Sequence, residues 1–332
     1  MNDVNVVITL TKATARVGFG YPLIFAGMQK AGIEYTEVSS LAEVVSAGFA
    51  AETDVYKTAA LLFMQNDAPA KIAVCAVTEK ATAALPAILD KDWRQLIVAS
   101  IGVDGEDSVD VISDYIEGCG KPAMYFCSVK SDDTAIANMT GNTRTVAIAY
   151  ESDDVVCPEA ALVGATAGME AGSFTYKNII LKGVTAQSFT SAEVEALHDK
   201  GVITILKKAG SVVTSEGVVV EGEYADIIDS KDFIIQEIET QCQSLLNRVP
   251  KLPYNNKGIA ALEGVVLSVL MDAANNGMIA QNENGYEYSV NFGTRADAAA
   301  SDISSRHYAE GSFTFTLAGA IHTATINGEI IA

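Results

Sequence analysis

The chain has 332 residues, enough for about two domains and a sizeable core. Hydrophobic residues make up 49%, charged ones 19%, and the mean hydropathy is +0.22; this apolar excess suggests a surface partly covered by other subunits. A net charge of −20, from 42 acids and 22 bases, repels phosphate backbones and argues against direct nucleic-acid binding.

In chain order, residues 4–10 alternate as a short β-arm with Val4, Val6, Ile8 and Leu10 on one side. The small, polar TKATARVG (11–18) reads as a hinge. The start, MNDVNVVITL, has neither the basic residues nor the cleavage site of a signal peptide. From there to about Tyr150, apolar strands are expected at 22–27, 71–77, 95–100, 122–129 and 145–150. Helices are expected between them: one capped by Ser40 with Glu43 in the capping-box position, then 54–65, 80–89 and 108–117. Near-continuous apolar strands separated by helices predict an α/β layer with a largely parallel sheet.

After the acidic spacer ESDD (151–154) the pattern changes. Thr190 and Glu193 form a second capping box, and Gly201 ends that helix. Strands follow at 203–207 and around 212–220. Two long amphipathic helices are expected at 225–249 and 258–276, the second closed by Asn276-Gly277. In the second, Ile259, Leu262, Val266, Val269 and Leu270 are expected to pack inward. Its apolar run, 258–271, is the longest in the chain, is interrupted by Glu263 and falls short of a membrane span. A strand at 286–293 and a helical turn at 297–304 lead to 312–332. There Phe313, Phe315 and Leu317 alternate with threonines, 321–326 (with Ile321 and Ile326) resumes the run, and Asn327-Gly328 marks a hairpin.

The inventory for catalysis is poor. Gly18-Phe19-Gly20 starts like a dinucleotide loop, but Leu23 stands in place of the third glycine and a strand follows, so a turn is the reading. Asp104, Glu106 and Asp107 lack the spacing of a calcium loop and read as helix N-terminal acids. Glu195 and His198 match E-x-x-H, but three histidines (His198, His307, His322) cannot supply a di-iron set. The acids Glu221, Glu223, Asp226, Asp229 and Asp232 flank a helix start and suit its dipole. Five cysteines without a C-x-x-C, including Cys75 and Cys127 in strand-like runs, read as reduced, buried thiols. No catalytic, cofactor or metal site is expected.

LAGAIH (317–322), preceded by SDISSRHY with Asp302 and Arg306, resembles the C-terminal signature of contractile-tail sheath proteins of bacteriophages. The resemblance extends upstream in order: AALVGATAG, NIILKGV, the Thr190–Glu193 helix start, EGEYADIIDSKDFIIQEI, LPYNNKGIAAL and AANNGMI. It covers about the second half of the chain; the first half matches only as an α/β domain. It implies an N-terminal arm (1–12), an outer α/β domain (13–155), an inner α+β sheath core (156–311) and a C-terminal arm (312–332). The arms would add strands to sheets of neighbouring copies, so that hexameric rings stack around an inner tube and contract to drive it through an envelope. Implied partners are further copies of the chain, the inner tail tube, and baseplate and terminator proteins, without nucleic acid, membrane insertion or cofactor. The particle would be a virion tail or a phage-derived injection device, assembled in the bacterial cytoplasm. By the same resemblance helix 258–276 would face the tube, with Lys257, Asp272 and Asn275 at the polar contact. A soluble α/β enzyme or ligand-binding protein stands as the alternative.

Overall fold

The computed structural model describes residues 20–100 and 107–323. The candidate arm residues Val4, Val6, Ile8, Leu10 and Ile326 lie outside the described residues. Eight strands form one sheet: β1 (Tyr21–Ala26), β2 (Ile33–Val38), β3 (Ile72–Ala76), β4 (Trp93–Ser100), β5 (Met124–Val129), β6 (Thr145–Ala149), β7 (Val202–Lys208) and β8 (Ser211–Thr214). Their order is β2-β3-β1-β4-β5-β6-β7-β8. The six inner strands run parallel, and β2 and β8 are antiparallel edges. Both faces of the sheet are covered, which is why β3 and β6 are apolar and buried at almost every position.

The intervening helices are α1 (Leu41–Ser46), α2 (Asp54–Phe63), α3 (Ala81–Ala84), α4 (Val109–Gly118), α5 (Ala135–Asn138), α6 (Glu159–Thr166) and α7 (Ser191–His198). Leu61 and Leu62 of α2 and residues 160–163 of α6 fill one face, against Ile24, Ile97 and Ile148. Ala81, Ile112, Ile116 and Leu197 fill the other, against Phe25, Leu96 and Ala147. Successive strand residues thus serve opposite cores, as a two-residue period requires. Most expected strands are present within a residue or two, but the one expected around 212–220 stops at Thr214. Of the two expected capping boxes Thr190–Glu193 is complete, whereas Ser40 caps α1 while the Glu43 carboxylate accepts the Ser39 N–H in place of that of Ser40. The helix expected at 80–89 divides at Pro86 into α3 and a 3-10 turn, Leu85–Ile88, because proline has no N–H to donate. The sheet runs past the boundary expected at 155–156, since Val202, Ile203 and Thr204 of β7 pair in parallel with β6.

The rest is built on two long helices, α8 (Ala225–Arg248) and α9 (Asn256–Asn275), followed by the short β9 (Gln281–Asn282) and β10 (Gly285–Tyr286), then β11 (Tyr288–Phe292), α10 (Ala300–Ser305) and β12 (Gly311–Phe315). Asn255 caps α9 by accepting the Gly258 N–H at 3.0 Å. Ile234, Ile238 and Cys242 of α8 meet Val266, Val269 and Leu270 of α9 in a third core, roofed by β11 and β12. By length and composition α9 could cross a membrane; here one side of it is a core face, buried on α8 and the β11–β12 pair.

Candidate assembly surface and its anchorage

Helix α8 is fixed to the sheet by a buried ionic network. Arg94, on β4, pairs through Nη2 with Asp229 and through Nη1 with Asp232 Oδ2 at 3.0 Å. Arg144, just before β6, grips Asp232 with both amino groups, at 2.7 and 3.1 Å. Tyr176 donates its hydroxyl to Asp229, and Arg94 also donates to the Pro122 carbonyl at 2.7 Å. Burial alone would raise the Asp232 carboxyl, but the two guanidinium groups outweigh it and hold it below its ordinary value. The expectation that these acids serve the helix dipole is therefore corrected for Asp229 and Asp232: they lie further along α8, facing buried arginines. Glu221 and Glu223 remain exposed.

Helix α9 keeps a second, uncovered side. Lys257, Ala260, Gly264, Leu267, Met271 and Asn275 recur at helical spacing along it and are exposed, Leu267 at 44% and Met271 at 48%. Lys257, Asp272 and Asn275 are all exposed, and the residues expected to pack inward do so, with Leu262 at the margin of the core. At its start, Asn255, Asn256, Lys257, Arg295 and Ala296 line a groove of about 560 Å³. Arg295 is held there by its own bond to the Tyr254 carbonyl, 2.7 Å. Between residues 240 and 262 this very acidic chain has no Asp or Glu, only Arg248, Lys251 and Lys257 as charges.

Strands β11 and β12 pair antiparallel over five residues, from Tyr288↔Phe315 to Phe292↔Gly311, and no further strand joins their outer edges among the described residues. Here an expectation is corrected. Phe313, Phe315 and Leu317 are not in an arm free to reach a neighbour; they cover their own subunit's third core beside Tyr288, Val290 and Phe292. The physical reason is local: a phenyl face on β12 can be buried at once by α9, without a partner. Past Leu317, Gly319, Ala320 and Ile321 run exposed.

The same geometry weighs on catalytic readings. In doubly wound sheets, ligands bind beyond the strand ends where the order reverses, here near β1 and β4. That crevice holds the chain's own Asp107, which is buried and accepts from the Ala81 N–H and, at 2.8 Å, from the Thr82 hydroxyl at the start of α3. Glu195 is exposed, while its E-x-x-H partner His198 bonds Ser215 Oγ at 2.9 Å. That oxygen is buried and already receives the Thr204 N–H at 2.9 Å, so it is engaged as a structural acceptor. Burial pushes the Cys127 and Cys157 thiols well up, away from thiolate chemistry. No cluster of three or more metal-ligating side chains occurs among the described residues.

Residues 225–329 match the family model of the E217 tail sheath protein gp31-like, C-terminal domain. No curated protein matches the chain. Among solved structures, the helical sheath of the anti-feeding prophage in its contracted state superposes with a TM-score of 0.71 at 16% identity, covering 100% of this chain and 99% of that one. The contracted sheath complex of the extracellular contractile injection system PVC gives 0.70 at 13%, covering 99% and 96%. The sheath tail protein Lin1278 from Listeria innocua gives 0.58 at 8%, covering 93% and 97%. Within residues 225–329 the resemblance carried by LAGAIH holds, and the mixed α/β fold with its largely parallel sheet matches the fold of these sheath structures.

Proposed function

We propose, from a tail-sheath resemblance that spans residues 225–329 in sequence and the whole chain in fold, that this protein is the structural subunit of a contractile sheath. Copies polymerise as stacked hexameric rings around an inner tube and shorten to drive the tube through an envelope. The observation that carries this reading is the β11–β12 pair. It is pinned on one face by the third core, while its outer edges offer main-chain donors and acceptors to strands of neighbouring copies. Residues 4–10 and the segment beyond Ala318 are the strands on offer. The Arg94–Asp232 network makes the sheet and α8 one body, so that movement between subunits falls on the linking segments.

The uncovered side of α9 faces the tube in this reading, with Leu267 and Met271 at its middle and Lys257, Asp272 and Asn275 at the polar margin. Tube, baseplate and terminator proteins complete the partners of a tail particle assembled in the host cytoplasm. Negative-stain microscopy of the purified protein, alone and with a co-expressed tube protein, tests the proposal. Tubes or hollow polysheaths are expected; discrete small particles under all conditions reject it.

A further inference from the structure

The C-terminal segment crosses from the helical unit to the α/β layer, and one side chain decides where it lands. Ala318 still belongs to the helical unit, its N–H donating to the Met278 carbonyl at 2.8 Å. The next three residues are exposed, Ile321 at 91%. His322 then turns inward. Its Nδ1 lies 2.9 Å from Glu216 Oε1, its Nε2 lies 2.9 Å from Thr175 Oγ1, and Tyr224 meets the ring edge-on at 4.7 Å.

The seat is preformed from three separate parts of the chain. Lys177 fixes the other Glu216 oxygen at 2.6 Å, and the Gly217 N–H donates to Oε1 at 3.2 Å. The charged groups around the ring are Glu216 and Lys177, with Asp226 at the start of α8 nearby. A carboxylate only accepts, so Nδ1 carries the proton in either charge state of the imidazole. The Thr175 hydroxyl donates to a neutral Nε2 or accepts from a protonated one. The seat therefore grips the ring in both forms. Few side chains other than imidazole offer two opposed nitrogens in one rigid plane.

We infer that His322 is a positioning residue for subunit contact: it sets the point and direction from which the C-terminal segment reaches a second copy of this chain. The inference rests on the sheath reading. Without the seat, the last fixed point falls back to Ala318. Four freed residues then add roughly 13 Å of extended slack. A swinging root lowers the effective concentration of the segment at the neighbour's sheet edge.

Diethyl pyrocarbonate labelling read by mass spectrometry tests the seat in the unassembled subunit, with the exposed His307 as the internal standard. His322 is expected to react about tenfold more slowly than His307, and Thr175→Val with Glu216→Gln should bring the two rates together. Equal rates in the unaltered protein overturn the seat. Microscopy and sedimentation then test positioning. His322→Ala should leave the melting temperature of the subunit nearly unchanged and yield short or irregular polymers, with partial rescue by His322→Gln. Regular tubes from His322→Ala, indistinguishable from those of the unaltered protein, overturn the positioning role. A protected His322 in an unaltered protein that never polymerises supports the seat and fails the sheath reading instead.

Discussion

Arg94 and Asp232 are 138 positions apart and meet at 3.0 Å, both buried, one on a strand of the sheet and the other on the first long helix of the sheath-like unit. Each ion has lost its water, and the second arginine, Arg144, shares the same carboxylate. Such a junction is weak in net stabilisation and severe when half of it is removed.

Asp232→Ala takes from Arg144 the carboxylate that it grips with both amino groups, and from Arg94 one of its two carboxylate partners, both in the interior. It should cost about 3–5 kcal/mol, the range for breaking a buried pair. Urea unfolding checks this as a lowered midpoint. Replacing Arg94, Arg144, Asp229 and Asp232 together with apolar residues should recover much of the loss, because the desolvation penalty goes with the charges.

Glu159 gives a pH dependence. It is buried at the start of α6, its Oε2 finds no partner, and burial pushes its carboxyl up from 4.5 to about 7. The folded protein therefore holds this proton more tightly than the unfolded chain does. Its contribution to stability is intact below about pH 4.5 and is lost as pH rises through 7, amounting to about 3 kcal/mol by pH 8. Glu159→Gln should remove that slope, measured as unfolding free energy against pH between 5 and 8.

Close approach of α2 and α6 depends on Gly164. A Cβ there would lie 2.3 Å from the Leu62 carbonyl oxygen, a backbone atom that cannot rotate away. Gly164→Ala should destabilise by about 1–3 kcal/mol through overpacking, seen as a lower melting temperature. Gly222→Ala, where a Cβ meets open space but φ is +105°, separates backbone strain from steric contact.

Truncation separates the subunit from its linker. Ending the chain after Gly311 removes the half-buried Phe313, Phe315 and Leu317 from the third core and should cost several kcal/mol in all, less per side chain than the roughly 1.5–3 kcal/mol of full burial. Ending it after Ala318 should leave circular dichroism and thermal unfolding close to those of the full chain while abolishing polymer formation.

The α/β layer was legible because its signals are local. β3 and β6 are unbroken apolar runs, and Thr190 with Glu193 forms the capping box that its spacing implies. Helix α6 escaped because it is buried all round and so has no polar face to give a period. β2, IEYTEV, escaped because a register shift between Ile33 and Thr36 breaks its alternation. The candidate surface was half legible. Alternation at Phe313 and Phe315 identifies a strand but not the sheet it joins. Arg94 sits inside a strand and Asp232 inside a helix, where sequence gives no hint that the two charges neutralise one another. His322 was visible only as part of a motif, since its partners Thr175 and Glu216 come from distant loops.

The edges of the large sheet have a consequence for growth. β8 is flanked by 178–181, whose Leu181 N–H bonds the Val212 carbonyl at 2.9 Å, and β2 exposes Glu34 and Glu37 beside its irregular register. Both rims are poor templates for a stray strand. Under the proposed sheath reading, strand addition is thereby steered to the β11–β12 ribbon, whose outer edges no further strand joins among the described residues. A subunit that receives strands on that ribbon and offers its own terminal segments elsewhere would have a head and a foot. A polymer grown this way would have a built-in sense of direction, and many copies together would be steered towards an ordered lattice over tangled aggregate.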